Sequence, residues 1–237
     1  MSERPYLSCA VLAYNEEESI ERAARVCSAA LEAGGTSYEL VLVDDGSTDR
    51  TPELMNALVR DLPHCRLIRH PRNLGFGGGI RTCYLATRGE WATWFPADLQ
   101  ADPRELPRLL KLLPGCDALV TYRDPRRRHE GPWRKLVSAT ERALVRLLFG
   151  LRLRDLHWIR FFHRGLLECM QLTSDSPFVD TEMIVAAKRL GARIREAPLD
   201  DHPREAGTAK GTALRHLIGS VRDLGLLYLR RLRQPNS

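Results

Sequence analysis

Apolar runs and amphipathic stretches alternate through the first half of the chain. Leu7–Ala13 is a nearly unbroken apolar run of strand length, Glu17–Leu31 places its apolar residues at helical spacing, Tyr38–Val43 is again strand-like, and Thr51–Arg60 is again helical. A strand at Cys65–Arg69, a helix at Gly79–Thr87, a strand at Trp91–Phe95, a helix after Pro103 and a strand at Ala118–Tyr122 continue the rhythm. Repeated βα units predict an α/β fold with a mostly parallel central sheet, right-handed crossovers and flanking helices on both faces. Thr48 or Asp49 is placed to cap the second helix, with Pro52 in its first turn, and Asp102 before Pro103 repeats that start.

After Tyr122 the rhythm gives way to a basic, proline-bounded stretch, Arg123 to Pro132, which reads as an insertion. Trp133, Leu136, Val137, Thr140, Leu144, Leu147 and Leu148 then recur at helical spacing, with Arg134, Lys135, Arg142 and Arg146 elsewhere on the wheel. The segment Thr212–Arg233 repeats this chemistry, its apolar face running from Leu214 to Tyr228 with Arg215, Arg222, Arg230 and Arg233 on the rest of the wheel. Each amphipathic helix can pack its stripe on the domain or lie on an anionic bilayer. The expected organisation is one domain over residues 1–211, with the basic loop and helix over 123–150, followed by an amphipathic helix and tail over 212–237.

Composition narrows the partners. A chain of 237 residues with 43% hydrophobic residues suits one domain with a sizeable core. A net charge of +6 favours an anionic partner, either a phosphorylated substrate or an acidic lipid surface; nucleic acid is not expected, because no recognition module of the usual kinds is present. The six cysteines are scattered without a C-x-x-C or Cys/His spacing, which points to reduced thiols and away from zinc. No 18-residue uncharged apolar run and no signal-peptide pattern occurs, so a cytoplasmic protein is expected, with peripheral contact at the membrane face.

The candidate chemistry sits where strands run out. Asp44 and Asp45 follow Leu40-Val41-Leu42-Val43 and precede the Gly46 turn; two adjacent acids repel unless a donor or cation is near, which suits either a binding site or a turn with a cap. Asp98, Gln100 and Asp102 alternate after the fourth strand, offering hard oxygens to Mg²⁺ or Mn²⁺, although Asp102 also suits an N-cap. Tyr14, Asn15 and Glu16 can hold a base or ribose, or simply open an acidic helix. Asn73 to Gly79 is a glycine-rich close-approach loop that matches neither a dinucleotide fingerprint nor a P-loop. Arg160, Arg204 and Lys210 are the basic candidates for a diphosphate.

Taken in order, Ala13-Tyr14-Asn15-Glu16, Val43 to Asp49, Asn73-Leu74-Gly75, Ala97-Asp98-Leu99-Gln100, Asp180-Thr181-Glu182 and Arg204-x-x-Gly207-x-x-Lys210 resemble the family 2 glycosyltransferases of the Rossmann-like GT-A fold. The resemblance runs from residue 6 to 211 and is greatest to the dolichol-phosphate mannose synthase-like, polyprenyl-phosphate branch. It implies a nucleotide-sugar site of Ala13, Tyr14, Asn15, Glu16, Asp44, Asp45, Asn73, Gly75, Ala97, Asp98 and Arg160. It implies Asp98 and Gln100 as ligands of Mg²⁺ or Mn²⁺, and Asp98, Arg204 and Lys210 as stabilisers of the departing diphosphate. Asp180 and Glu182 become candidate bases if the acceptor is a hydroxyl.

The implied activity is inverting transfer of a sugar from a UDP- or GDP-sugar to a polyprenyl or dolichyl-type phosphate. The alternatives are a soluble glycosyltransferase with a small hydroxyl acceptor and a non-catalytic sugar-nucleotide-binding relative. Two departures from the family pattern stand out: Pro96 replaces the first aspartate of the metal motif, and the bulky Trp158 falls where a small-residue turn is usual.

Overall fold

The computed structural model describes residues 4–123, 132–172, 174, 176 and 178–202. The expected segment 212–237, most of the basic loop, and Arg204 and Lys210 lie outside the described residues. Within them are strands β1 (Leu7–Ala13), β2 (Tyr38–Asp44), β3 (Cys65–Arg69), β4 (Trp91–Pro96), β5 (Ala118–Tyr122), β6 (Arg160–His163) and β7 (Ile194–Pro198). The helices are α1 (Ile20–Ala33), α2 (Thr51–Asp61), α3 (Gly75–Leu85), α4 (Leu106–Leu110), α5 (Pro132–Phe149), α6 (Arg164–Cys169) and α7 (Val179–Arg189).

The strands form one sheet in the order β3-β2-β1-β4-β6-β5-β7. All run in one direction except β6, which is antiparallel to both β4 and β5. From β1 the chain steps outward through β2 to β3, then returns to place β4 on the other side of β1. Right-handed crossovers therefore put α1 and α2 on one face and α3 on the other; α1 packs with α2 and α4, and α3 with α7. The reversal of strand order at β1 and β4 opens a crevice beyond their carboxyl ends, where a doubly wound sheet binds its ligand.

β1 and β2 are buried almost throughout, as their apolar runs require. At the amino end of the sheet, buried Glu39 accepts hydrogen bonds from Ser8 Oγ (2.6 Å), Arg66 Nε (3.0 Å) and the Arg88 N–H (2.6 Å). Burial works to raise its pKa, yet these donors outweigh it and hold the carboxylate below its ordinary value. At the opposite end the N-cap of α2 is Arg50 rather than Thr48 or Asp49, and Asp49 Oδ1, one residue earlier, accepts from the Thr51 N–H at 2.9 Å. Asp102 accepts from Arg104 N at 2.9 Å and starts a 3₁₀ turn, Pro103–Glu105, that leads into α4.

Three features differ from the expected elements. α1 begins at Ile20 rather than Glu17, because Glu16 closes a turn over Ser19 first: its backbone oxygen accepts from Ser19 and Ile20 N–H, and its carboxylate from Ser19 Oγ at 2.8 Å. α3 begins at Gly75 rather than Gly79, so the glycine cluster is helix, and a Cβ on Gly79 would lie 2.7 Å from Leu12 Cδ1 on β1. The glycines there let α3 lie close against the sheet. β6, α6, α7 and β7 extend the fold past the expected strands; the four-residue β6 is too short to carry a period of its own. α5 turns Val145 and Phe149 into the core and packs Leu144 and Leu148 against it, while Leu147 remains exposed.

Candidate functional site

A cleft of about 600 Å³ opens beyond the carboxyl ends of β1, β2 and β4. Tyr14 and Glu16 reach it from the end of β1, Asp45 from β2, Asn73 and Gly75 from the start of α3, and Ala97, Asp98 and Gln100 from the turn after β4. Asp180 of α7 completes the set of expected residues on its wall. Acidic positions far apart in sequence therefore converge on one cavity at the sheet edge.

Among the described residues at this end of the cleft, backbone N–H groups hold several of the side chains. Asp45 Oδ1 accepts from Leu74 N at 2.9 Å and sits 2.7 Å from His70 Nδ1, whose Nε2 meets Thr82 Oγ1 at 2.9 Å. Gly46 makes this possible: its φ is +73°, and a Cβ would fall 2.4 Å from the Arg72 carbonyl carbon, so only glycine lets the Arg72–Asn73 backbone pass. Asn15, itself at φ 53°, ties the first loop to the second, receiving Thr48 N–H on Oδ1 at 2.8 Å and giving its own N–H to Ser47 Oγ at 2.9 Å. In the turn after β4, Leu99 adopts φ 55° and Asp98 Oδ1 accepts from Gln100 N at 3.1 Å. The described chain returns to this turn near its end: His202 N donates to Gln100 O at 2.8 Å, two residues before Arg204.

Five expected residues are turned away from the cleft. Ala13 is buried and contributes its carbonyl oxygen to Asp45 N at 2.9 Å. Asn15 serves the loop latch just described. Asp44 is the last residue of β2, and strand alternation sends it to the side opposite Asp45; there it accepts from Ser47 N at 2.8 Å and lies 3.0 Å from Arg69 Nε. Arg160 corrects the expectation of a phosphate contact: the β6 register sets it opposite Val120, its side chain is 0% exposed, and it forms an ion pair with Asp180. Its Nε and Nη2 have no hydrogen-bond partner among the described residues. Glu182 is two helical positions beyond Asp180 and hence on another face of α7, where it accepts from Ser174 N at 2.9 Å.

The opposite end of the cleft, around Asp180, adds residues that carried no catalytic or binding role in the sequence. Trp158 forms its wall, pinned by Nε1 donating to Leu199 O at 2.9 Å. The Arg123 guanidinium stacks 4.8 Å from the indole centroid and pairs with buried Asp155 through Nε at 2.8 Å and Nη2 at 3.3 Å. His157 lies between, with Nε2 2.8 Å from Glu141 Oε2 on α5 and Nδ1 3.8 Å from Asp180 Oδ2. Burial works to lower its pKa, but the neighbouring carboxylates of Asp180 and Glu141 win and raise it to about 9. The bulk at position 158 signalled that this end is rebuilt; the His157–Glu141 pair had no local signal.

A mostly parallel sheet with one reversed strand, and an acid-lined cleft beyond the carboxyl ends of its first, second and fourth strands, are those of a GT-A fold protein. The chain belongs to glycosyl transferase family 2, whose sequence model matches residues 8–170. It is 32% identical to "Glycosyltransferase AglD" of Haloferax volcanii over 90% of this chain and 35% of that protein. It is 30% identical to the undecaprenyl-phosphate 4-deoxy-4-formamido-L-arabinose transferase of Pseudomonas paraeruginosa, over 93% of this chain and 66% of that one. The chain thus spans about a third and just under two thirds of the length of these relatives. Among solved structures, glucosyl-3-phosphoglycerate synthase from Mycobacterium tuberculosis in complex with Mn²⁺, UDP and glucosyl-3-phosphoglycerate superposes with a TM-score of 0.67 at 22% identity, covering 98% of this chain and 82% of that one. Its complex with UDP alone superposes with a TM-score of 0.69 at the same identity and coverage. At that identity the likeness concerns the fold.

Proposed function

We propose that this chain transfers a sugar, with inversion at the anomeric carbon, from a UDP- or GDP-sugar to a polyprenyl or dolichyl-type phosphate. The observation that carries the reading is convergence on one cleft: Tyr14, Glu16, Asp45, Asp98 and Gln100, from the ends of three strands, share it with Arg123, His157 and Asp180. Tyr14, Glu16 and Asp45 hold the nucleoside, with Asn73 and Gly75 close enough for backbone contact. The polyprenyl-phosphate relative and the UDP complexes of the fold neighbour support the choice of acceptor and donor.

The donor set fits Mg²⁺ or Mn²⁺. Asp98 and Gln100 offer hard oxygens, Pro96 offers none, and no group of three or more His, Cys, Asp or Glu among the described residues is arranged to hold a metal alone. Diphosphate oxygens and water would therefore complete the shell. When bound, the ion neutralises charge that develops on the departing diphosphate. Arg204 and Lys210, which follow closely on the contact of His202 with Gln100, are proposed to act on the same oxygens.

In the reaction an acceptor phosphate oxygen forms the new bond to the anomeric carbon as the carbon–oxygen bond to the diphosphate breaks, and the nucleoside diphosphate leaves. A phosphate monoester has a second pKa of about 6 and needs no protein base at neutral pH. The site agrees with that economy, since Asp180 is engaged by Arg160 and Glu182 faces elsewhere. The basic stretch that follows Arg123, as far as Lys135, and the segment Thr212–Arg233 are proposed to meet an anionic membrane at its cytoplasmic face. No helix among the described residues is long and apolar enough to cross one.

The test is transfer of label from UDP- and GDP-sugars, with Mg²⁺ or Mn²⁺, to undecaprenyl or dolichyl phosphate. Label extracted into organic solvent is the expected result. A water-soluble glycoside would select the second reading, a small hydroxyl acceptor, which the bulky Trp158 on the cleft wall favours. Nucleotide-sugar binding without turnover would leave a binding protein.

A further inference from the structure

The acceptor end of the cleft carries six ionisable side chains in three pairs. Arg123 of the β5 end faces Asp155, Arg160 of β6 faces Asp180 of α7, and His157 faces Glu141 of α5. Asp155, Asp180, Glu141 and Arg160 are all buried, so their charges must balance locally. Among these described residues three carboxylates stand against two guanidinium groups, and a proton on His157 balances the set. Thr181 Oγ1 adds only a long contact to Glu141, at 3.4 Å, and Asp155 Oδ1 takes the backbone N–H of His157 at 3.2 Å.

The two ring nitrogens are not equivalent. Nε2 is committed to Glu141 at 2.8 Å, whereas the 3.8 Å from Nδ1 to Asp180 Oδ2 exceeds hydrogen-bond length. Asp180 spends its other oxygen on Arg160. His157 and Asp180 both line the cleft, and about a third of the His157 side chain is open to solvent. When His157 is protonated, its Nδ1–H meets only the longer ion pair with Asp180 and can turn to a closer anion in the cleft, on a ring that Glu141 and its own backbone already hold in place. Such preorganised, charged donors discriminate strongly for anions.

We propose that His157 is a specificity residue of the acceptor end, an imidazolium anchored by Glu141 whose Nδ1–H binds the phosphate group of the acceptor. This deepens the transfer reading above and rests on it for the identity of the acceptor. The raised pKa of about 9 keeps the donor charged through the neutral range. A neutral hydroxyl acceptor would gain far less from the same group.

The experiment is equilibrium binding of farnesyl phosphate, glycerol 3-phosphate and farnesol to the full chain loaded with nucleoside diphosphate and Mg²⁺, for the native protein, His157→Gln and His157→Lys. Farnesyl phosphate is expected to bind more tightly than farnesol by on the order of 10–100-fold, the worth of one charge-assisted hydrogen bond. His157→Gln should lose that ratio and leave nucleotide affinity within twofold, and His157→Lys should restore part of it. The His157 imidazole resonance should also shift its titration upward when farnesyl phosphate saturates the native protein. Equal ratios in the native protein and His157→Gln, or an imidazole titration that the phosphate does not move, overturn the proposal. Glycerol 3-phosphate binding as tightly as farnesyl phosphate would keep the phosphate site and assign it to a soluble acceptor. Because no step requires turnover, loss of sugar transfer in the native protein would count against the transfer reading alone.

Discussion

The two ends of the cleft are held by different forces. Among the described residues of the donor end, backbone N–H groups meet the polar side chains, Leu74 N on Asp45, Gln100 N on Asp98 and, in the adjoining loop latch, Thr48 N on Asn15, with His70 beside Asp45. At the acceptor end the partners are charged side chains on separate elements: Arg123 with Asp155, His157 with Glu141, Arg160 with Asp180. Backbone donors move only when a loop moves, so the donor end keeps its shape whatever occupies it. Ion pairs can share or exchange a partner with an incoming anion, so the acceptor end can respond to the charge of its ligand. The contrast matches the division of labour proposed for the cleft, in which one end fits a nucleotide of constant shape and the other reads a phosphate.

The largest expected effect lies in the acceptor end. Arg160→Met leaves Asp180 buried without its guanidinium and should destabilise the protein by about 3–5 kcal/mol. Arg160 is itself poorly satisfied, with Nε and Nη2 unpaired among the described residues, so the pair is costly to bury. The double variant Arg160→Met, Asp180→Leu should therefore recover most of the loss in urea unfolding. A double variant no more stable than the single one would show that the acceptor end does not depend on charge balance, and the contrast with the donor end would fail.

Asp98→Asn tests the donor end. It keeps an oxygen for Gln100 N, so the turn should fold unchanged, while the anionic oxygens for the metal and diphosphate are lost. The rate of transfer should drop by roughly 10²–10³-fold, about 3–4 kcal/mol, at unaltered unfolding midpoint. Activity within a fewfold of the native enzyme would mean that Pro96 has shifted the diphosphate site away from this turn.

The difference between the two ends also decides what could be read from sequence. β1, β2 and β4 are long buried runs, and the polar residues after them belong to the cleft by topology, so Tyr14, Asp45 and Asp98 were legible. Finer choices depend on phase. Asp44 and Asp45 alternate across a strand end, and Asp180 and Glu182 diverge around a helix; in each pair one side chain faces the cleft. Arg160 was misassigned because its burial follows from pairing with β5, 40 residues earlier at Val120, and a four-residue strand betrays no period. His157 and Glu141 are 16 residues apart on different elements, a separation at which no local pattern links an acid to a base.

The smallest expected effect is a slope with pH. His157 has its folded pKa raised from 6.5 to about 9, so the proton is bound more tightly in the native state than in the unfolded chain. The resulting stability is fully present below pH 6.5 and fades as the pH climbs through 9, with a slope that cannot exceed about 1.4 kcal/mol per pH unit for one group. Partial exposure of the ring reduces the effect further through solvent screening. His157→Gln removes this one group and leaves Glu141, Asp155 and Asp180 in place, so comparison of the two proteins isolates His157 within the cluster. Urea unfolding of the native protein at pH 6, 7.5 and 9 should show the decline, and His157→Gln should flatten it. Equal slopes in the two proteins would mean that the imidazole is uncharged at neutral pH, and the acceptor end would then hold an unbalanced carboxylate rather than three matched pairs.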